Sequence, residues 1–552
     1  MPDPETPPSE LHRALQVPEV VWMIVSYLDP RPDEEMADLA ALAQCRIFHG
    51  PALDALWRHQ GTIRNLINCM PDGLWVVETV QRRKILRLSR PVQVTDWDRV
   101  LQYSHRVRSF AVDSYSSESL SQVFEVLRLG VPGDYLLPNL EMLQWRPDST
   151  IQFADINLFL GPRIASIELQ ALRIPQLSLL TTLTRRFPGL TAVTIDQWFP
   201  QYSTSQSQIQ IQSGISAFAR GLKNVRYLNL QSGIDVEAIT NIGGLSTLET
   251  LRLHLAPPLT LSSLTGLPQG ALFHYLRSAD FSCHRDSELA FVTLFVRSWA
   301  NPSLRSFKLK SRDHLTVDET EELYRALSAH CSHDALESLT ITVYIAGLPT
   351  PEYIIPGRAL QLLFCFTNLV TVTIKSAHGY LLDDETITEL AAAWPQIKEL
   401  HLSAHDHLHQ CGTLLGLHAF ARHCPNLLHT LELSFDASSV PAPHPDPSLR
   451  QKLWHPALES LDVAYSLISN AFDVARFISA TFFNVTELYT ALADDELEDE
   501  ENTDPRFPAQ VACHKLWREV ETLLPRLNDI RAEEFHWAQQ AIDQKGYIPV
   551  PI

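Results

Sequence analysis

Along this chain an apolar residue is followed by a second three positions later and a third two positions after that. The pattern returns thirteen or fourteen times, at intervals of about 23 to 35 residues. Copies include Val107/Phe110/Val112, Leu140/Leu143/Trp145, Ile164/Ile167/Leu169, Val225/Leu228/Leu230, Leu304/Phe307/Leu309, Leu336/Leu339/Ile341 and Leu428/Leu431/Leu433. Alternate apolar positions over such a short stretch predict a strand with one buried face. Between copies the spacing becomes helical, and a proline then interrupts it. Gly412–Cys424 runs into Pro425, Asp384–Trp394 into Pro395 and Leu180–Phe187 into Pro188. Proline lacks an N–H and pushes the preceding residue out of the helical region, so each is a stop signal. Thr316–His330 is a further helix, with Thr316 or Asp318 as its cap. Strands joined through helices lie parallel, and repetition of the unit predicts a solenoid.

The first six positions of the pattern resemble the leucine-rich repeat, Leu-x-x-Leu-x-Leu, over residues 107–490. The Asn or Cys that follows in that family is absent; Gly233, Ala256, Tyr344 and Ser466 stand near its place. The resemblance implies an α/β fold, an irregular leucine-rich-repeat horseshoe with a parallel sheet and outer helices. An ordinary α/β sheet is the alternative that strand–helix alternation alone allows. Residues between the apolar positions would face the open side of the sheet. Among them Arg226, Arg252, Lys308 and His401 are candidates to contact a protein target.

Residues 11–59 do not fit the repeat. Pro18 occupies a first helical position, and Glu19–Leu28 continues until Asp29-Pro30. Val21, Ile24, Val25 and Leu28 make one stripe, Val20, Met23 and Tyr27 another, so this helix needs cover on two sides. Ala37–Gln44 and Ile47–His59 supply two short helices, enough to cover one of them. The segment resembles an F-box through Val17-Pro18-Glu19, Tyr27-Leu28, Asp38-Leu39, Cys45-Arg46-Ile47-Phe48 and Leu56-Trp57-Arg58, in order. Val17 in place of Leu and the insert Arg31–Met36 depart from that pattern. The resemblance implies a small all-α F-box that docks a Skp-family adaptor and, through it, a cullin. Val17, Pro18, Val20, Val21, Ile24, Leu28, Leu39 and Leu42 would make that contact. Simple capping of the solenoid is the rival reading; it explains one apolar face but not two.

Arg82–Val107 resembles the joint of fungal F-box proteins of this architecture, welding the first segment to the first repeat. Its cluster of Arg82, Arg83, Lys84, Arg87 and Arg90 reads as a solvated helix face, with a nuclear-import or anionic-partner patch as the alternative. Segment boundaries follow: 1–10 disordered, 11–59 F-box-like, 60–105 linker or N-terminal cap, 106–490 solenoid, 491–508 an acidic disordered loop, 509–552 a helical cap. In that cap His514–Ile530 reads as a helix, made irregular by Pro525.

A formal net charge of −20 argues against nucleic acid and anionic membranes as general partners. No apolar run is long enough to span a bilayer, and Met1–Glu10 lacks the features of a signal peptide. The 8 cysteines show no paired spacing, as expected in the cytoplasm or nucleus. His401, His405, His407, His409 and Cys411 match no structural zinc pattern, and the His-Asp pairs at His333 and His405 lack helical context. No nucleophile elbow or phosphate loop is present. With these exclusions the F-box and leucine-rich-repeat resemblances imply a non-enzymatic substrate receptor of a Skp–cullin–F-box ubiquitin ligase, with no catalytic residue, metal or cofactor expected. A repeat scaffold uncoupled from ubiquitination and a metal-dependent hydrolase centred on His401–Cys424 are the alternatives.

Overall fold

The structure, a computed structural model, describes residues 15, 17–28, 36–80, 83–112, 118–147, 151–170, 172–197, 206–255, 261–283, 288–300, 302–312, 316–343, 353–376, 378–404, 412–424, 426–442, 455–492 and 506–545. The N-terminal ten residues, the acidic run 494–504 and the stretch His405–Cys411 lie outside the described residues. The chain divides into two compact units, residues 1–232 and 233–552.

Among the described residues of the first unit, three helices precede a parallel sheet: α1 (Pro18–Tyr27), α2 (Ala37–Leu42) and α3 (His49–Arg58). Strands His59–Gln60, Ser109–Val112, Met142–Trp145, Ser166–Gln170, Ala192–Asp196 and Tyr227–Leu230 then pair in sequence. The repeat pattern falls into register: Phe110 opposes Leu143, Leu143 opposes Ile167, Ile167 opposes Val193 and Val193 opposes Leu228. All five are buried, because a period of two sends every second side chain to the same face. Helices Ser121–Gly130 and Leu177–Arg186 bury Val123, Phe124, Leu127, Leu180 and Leu183.

The second unit repeats the arrangement with one run of nine parallel strands, from Thr250–Leu255 to Glu487–Tyr489, beside two short strand pairs. Leu251, Ala279, Phe307, Leu339, Val372, Leu400, Leu431, Leu461 and Leu488 form one in-register row. Some helices of this unit start at a capping side chain. Thr316, not Asp318, caps Val317–His330 in a reciprocal box with Glu319, and Asp383 accepts from Thr386 N–H at 2.8 Å. Phe187 and Trp394, each before a proline, leave the helical region with ψ 70 and 63. The fold is thus an α/β parallel-sheet repeat of the leucine-rich kind. Without the family's Asn ladder, single side chains hold some turns: Gln197 bonds both N–H and C=O of Leu172, and Ser466 Oγ accepts from Phe435 N–H.

Two local expectations are corrected. Arg83, Lys84 and Arg87 of the basic cluster lie on a strand, not on a helix. Trp75–Val80 and Arg83–Leu88 form an antiparallel hairpin, which suits the β-branched Val76, Val77, Thr79, Val80 and Ile85. Pro525 does not break the C-terminal helix, which runs unbroken over Phe507–Lys545. Trp517, Val520 and Leu524 are buried along one side of it, and Trp517 Nε1 donates to Ser466 O at 2.8 Å. That packing outweighs the one backbone bond the proline forfeits.

Candidate protein-docking sites

α1 begins at Pro18, whose missing N–H costs nothing at a first helical position. Val21 and Val25 are the inward side chains; Val25 packs with Leu39 of α2 and Ala55 of α3, with Phe48 and Leu56 around them. This is a small core, and it uses only one side of α1. Trp22, Met23, Tyr27 and Leu28 are exposed, Tyr27 at 85% and Met23 at 58%; Val20 and Ile24 are half-buried. The only wholly polar side chains of α1 are Glu19 and Ser26. A helix with two apolar sides has here been covered on one.

Of the residues expected at this contact, Val17, Pro18 and Leu28 are exposed, and Val20, Ile24 and Leu42 are half-buried. Val21 and Leu39 are not available: at 3% and 1% exposure they hold the three helices together. Sequence reasoning gave the stripe Val20, Met23 and Tyr27 but placed only Val20 at the site, and it missed Trp22 and Ile47. The signal was present in the 3-4 spacing of Val20, Met23 and Tyr27. Which of two apolar stripes turns inward is settled only by α2 and α3.

The three helices are fixed to the sheet of their own unit. α3 runs directly into His59–Gln60, which pairs with Ser109–Phe110. Gln60 is buried with both ends of its amide engaged, donating to Leu56 O at 2.9 Å and accepting from Asn65 Nδ2 at 2.8 Å. Trp57 stacks on Tyr103 at 4.7 Å between ring centres, and the Arg106 guanidinium pairs with Asp54. Whatever α1 binds is therefore held at a set position against the first repeats.

The second candidate surface is the open side of the sheet in residues 233–552. There Arg252, Asp280, Lys308, Thr340, Thr373, His401, Glu432, Asp462 and Tyr489 oppose one another strand by strand. Three of the four target candidates, Arg252, Lys308 and His401, lie in this row. Arg226 does not: it is exposed, but it precedes the strand Tyr227–Leu230, and its backbone N–H closes on Thr191 O. Opposite charges pair at both ends of the row. Arg252 reaches Asp280 at 3.6 Å; His401 Nδ1 lies 2.9 Å from the largely buried Glu432, which Lys375 also approaches at 3.9 Å. Burial first, then the charge of Glu432, pushes the Asp462 carboxyl above its usual range. A surface of mixed sign suits a mixed protein surface better than a polyanion.

No group of three or more metal-competent side chains converges among the described residues. His401 is engaged with Glu432, while His405, His407, His409 and Cys411 lie outside them. Among the described residues no helix is long and apolar enough to cross a membrane.

No protein-family model and no curated protein matches this chain. Among solved structures, a chain of the yeast Rad7–Elc1 complex is similar at 18% identity, covering 63% of this chain and 82% of that one, with a TM-score of 0.36. LegL7, a leucine-rich repeat-containing protein from Legionella pneumophila, is similar at 11% identity, covering 66% and 92%, with a TM-score of 0.25. Scores this low carry no argument about function, and the repeat architecture rests on the register of the strands themselves.

Proposed function

We propose that this chain is a substrate-receptor subunit of a Skp–cullin–F-box ubiquitin ligase. In this reading α1 to α3 dock a Skp-family adaptor, the adaptor joins a cullin, and the open sheet face holds a protein target. The chain does no chemistry of its own; it holds a target close to a transfer reaction performed by other subunits, in the cytoplasm or nucleus, which turns a bimolecular encounter into a fixed geometry.

One observation carries the reading: α1 turns only Val21 and Val25 inward and leaves Trp22, Met23, Tyr27 and Leu28 on the surface. The ordered F-box-like motifs of residues 17–58 and the rigid join through Trp57, Tyr103, Asp54 and Arg106 support it. Covering the exposed parts of Val17, Trp22, Met23, Tyr27 and Leu28 gains on the order of 5 kcal/mol. Association costs about 4–15 kcal/mol, so stable docking requires contacts beyond α1, with the exposed Ile47 and the outer side of α2 at hand.

The test is capture of a purified Skp-family adaptor by the full chain and by a Met23→Asp, Tyr27→Asp double variant. Both side chains are exposed, so the variant should melt like the wild type while adaptor capture falls at least about tenfold. Equal capture by both, or no capture by the wild type, sinks the assignment.

A further inference from the structure

Alternate residues of the strands from Thr250–Leu255 to Glu487–Tyr489 stand on the open side of the sheet, and their charges are sorted along it. On the strands from Thr250–Leu255 to Thr371–Ser376 these positions hold the bases Arg252, Lys308, Lys310 and Lys375 against a single acid, Asp280. From Glu399–Ala404 to Glu487–Tyr489 they hold the acids Glu399, Glu432, Asp462 and Glu487, with His401 among them. The residue before each strand adds nothing to either part: Glu249 and Glu337 offset Arg277 and Arg305, and Glu459 offsets Lys398. One face thus carries a positive and a negative part, in a chain whose formal net charge is −20. A face shaped by solubility alone would follow the sign of the whole chain.

Pairs within the face leave a surplus in each part. Arg252 meets Asp280 at 3.6 Å, and Lys375 and His401 both face Glu432, at 3.9 and 2.9 Å. Lys308, half-buried, and Lys310, exposed, enter no ion pair among the described residues. Thr340 and Thr342 oppose them on the next strand. Glu399 is exposed and likewise enters no ion pair among the described residues. The exposed Glu487 accepts from Tyr489 O–H at 3.2 Å, and Asp462 accepts only from a backbone N–H, that of Ala464 at 2.8 Å. Burial first, then Glu432, already holds the Asp462 carboxyl above its usual range, so a cation is what that part lacks.

The separation of the two parts sets the size of what fits. Neighbouring strands lie about 4.8 Å apart, so the five steps from Ser306–Ser311 to Ser460–Asp462 span about 24 Å. An extended chain rises about 3.4 Å per residue and crosses that distance in about seven residues. A polyanion over Lys308 and Lys310 would meet repulsion at Glu399 and Asp462, and a polycation the reverse. Only a partner bearing both signs satisfies both parts.

We propose that this face binds an extended protein segment carrying an acidic run and a basic run about seven residues apart. The acidic run lies over Lys308 and Lys310, the basic run over Glu399, Asp462 and Glu487. The inference rests on the reading of the sheet face as the target surface and gives that target its chemistry. Exposed ion pairs are individually weak, so the two runs act together and binding fades with salt.

The experiment measures fluorescence anisotropy of a labelled peptide, Glu-Glu-Glu-Gly-Ser-Gly-Ser-Lys-Lys-Lys, on the full chain at low ionic strength. The control is a peptide of the same composition with glutamate and lysine alternating; both are neutral, so the net charge of the chain does not favour either. The block peptide should bind at least about tenfold more tightly. Lys308→Glu with Lys310→Glu should weaken it at least about tenfold, and Glu399→Lys with Glu487→Lys should do the same. All four substitutions together reverse both parts, and a free peptide can turn end for end, so binding should return. If a variant fails to fold, the comparison of the two peptides on the wild type still decides. Equal binding of the peptides, no binding, double variants that bind like the wild type, or a dimer of the chain formed through this face overturns the proposal. Adaptor capture measured in parallel keeps the two readings apart. Capture without a peptide preference overturns this inference alone, and a peptide preference without capture overturns the ligase assignment alone.

Discussion

Single residues show how tightly polar groups are tied into this apolar repeat. Asp155, its side chain 1% exposed, accepts from Arg128 Nε at 2.9 Å and from Gln152 N–H at 3.1 Å. Arg128→Ala would leave that carboxylate covered with a single donor; the expected loss is about 1–3 kcal/mol, read from the denaturant midpoint. His455 is fully buried, and burial pushes its ring down to about 4 while Nδ1 accepts from Leu458 N–H at 3.2 Å. The folded state holds the neutral ring. Its contribution is therefore complete above the ordinary value of 6.5 and drains away as pH falls towards about 4. Melting temperature should drop across that window, and His455→Gln should flatten the drop. Neither residue stands out in the sequence, because burial of a lone His or Asp depends on what the fold places over it.

At the scale of elements, local chemistry and packing sometimes disagree, and packing wins where it covers more. Pro525 reads as a helix breaker, yet Trp517, Val520 and Leu524 before it pin the helix and the ladder runs through. Pro525 is exposed, so Pro525→Ala restores one N–H without disturbing a contact. It should stabilise the helix by up to about 3 kcal/mol, seen as slower amide exchange over residues 515–531. The join between α3 and the sheet is another such element. Tyr103→Ala removes the ring beneath Trp57 and should speed proteolysis and amide exchange within residues 18–58 while the strands beyond Ser109 keep their protection. The cap at Thr316 and the pre-proline stops were legible in the sequence, being properties of neighbouring residues. The hairpin was not: with adjacent apolar pairs at Val76-Val77 and Ile85-Leu86 its strands carry no clean period of two, and only cross-strand pairing makes them visible.

Over the whole molecule, stability is a sum of neighbouring repeats, each sealed by the next. Phe281, Phe295, Trp299 and Phe307 form one such seal, with ring centres 5.3 Å apart for Phe281 and Phe295 and 6.3 Å for Trp299 and Phe307. Trp299→Ala should cost about 3–5 kcal/mol and open the amides of Ser278–Cys283 and Ser306–Ser311, while those of Ser109–Val112 stay closed. Amide exchange checks both halves. The sequence alone determined the repeat, its period, the parallel order of strands and the inward triplets, because these follow from spacing along one chain. It also showed that α1 carries more apolar surface than two short helices can cover. Only the tertiary structure decided that Val21 and Leu39 face inward while Met23 and Tyr27 face out, that Arg226 precedes its strand rather than lying within it, and that the outer edge of Trp75–Val80 meets no second strand among the described residues. Those are facts about which surfaces meet, and a contact between distant segments has no spacing to reveal it.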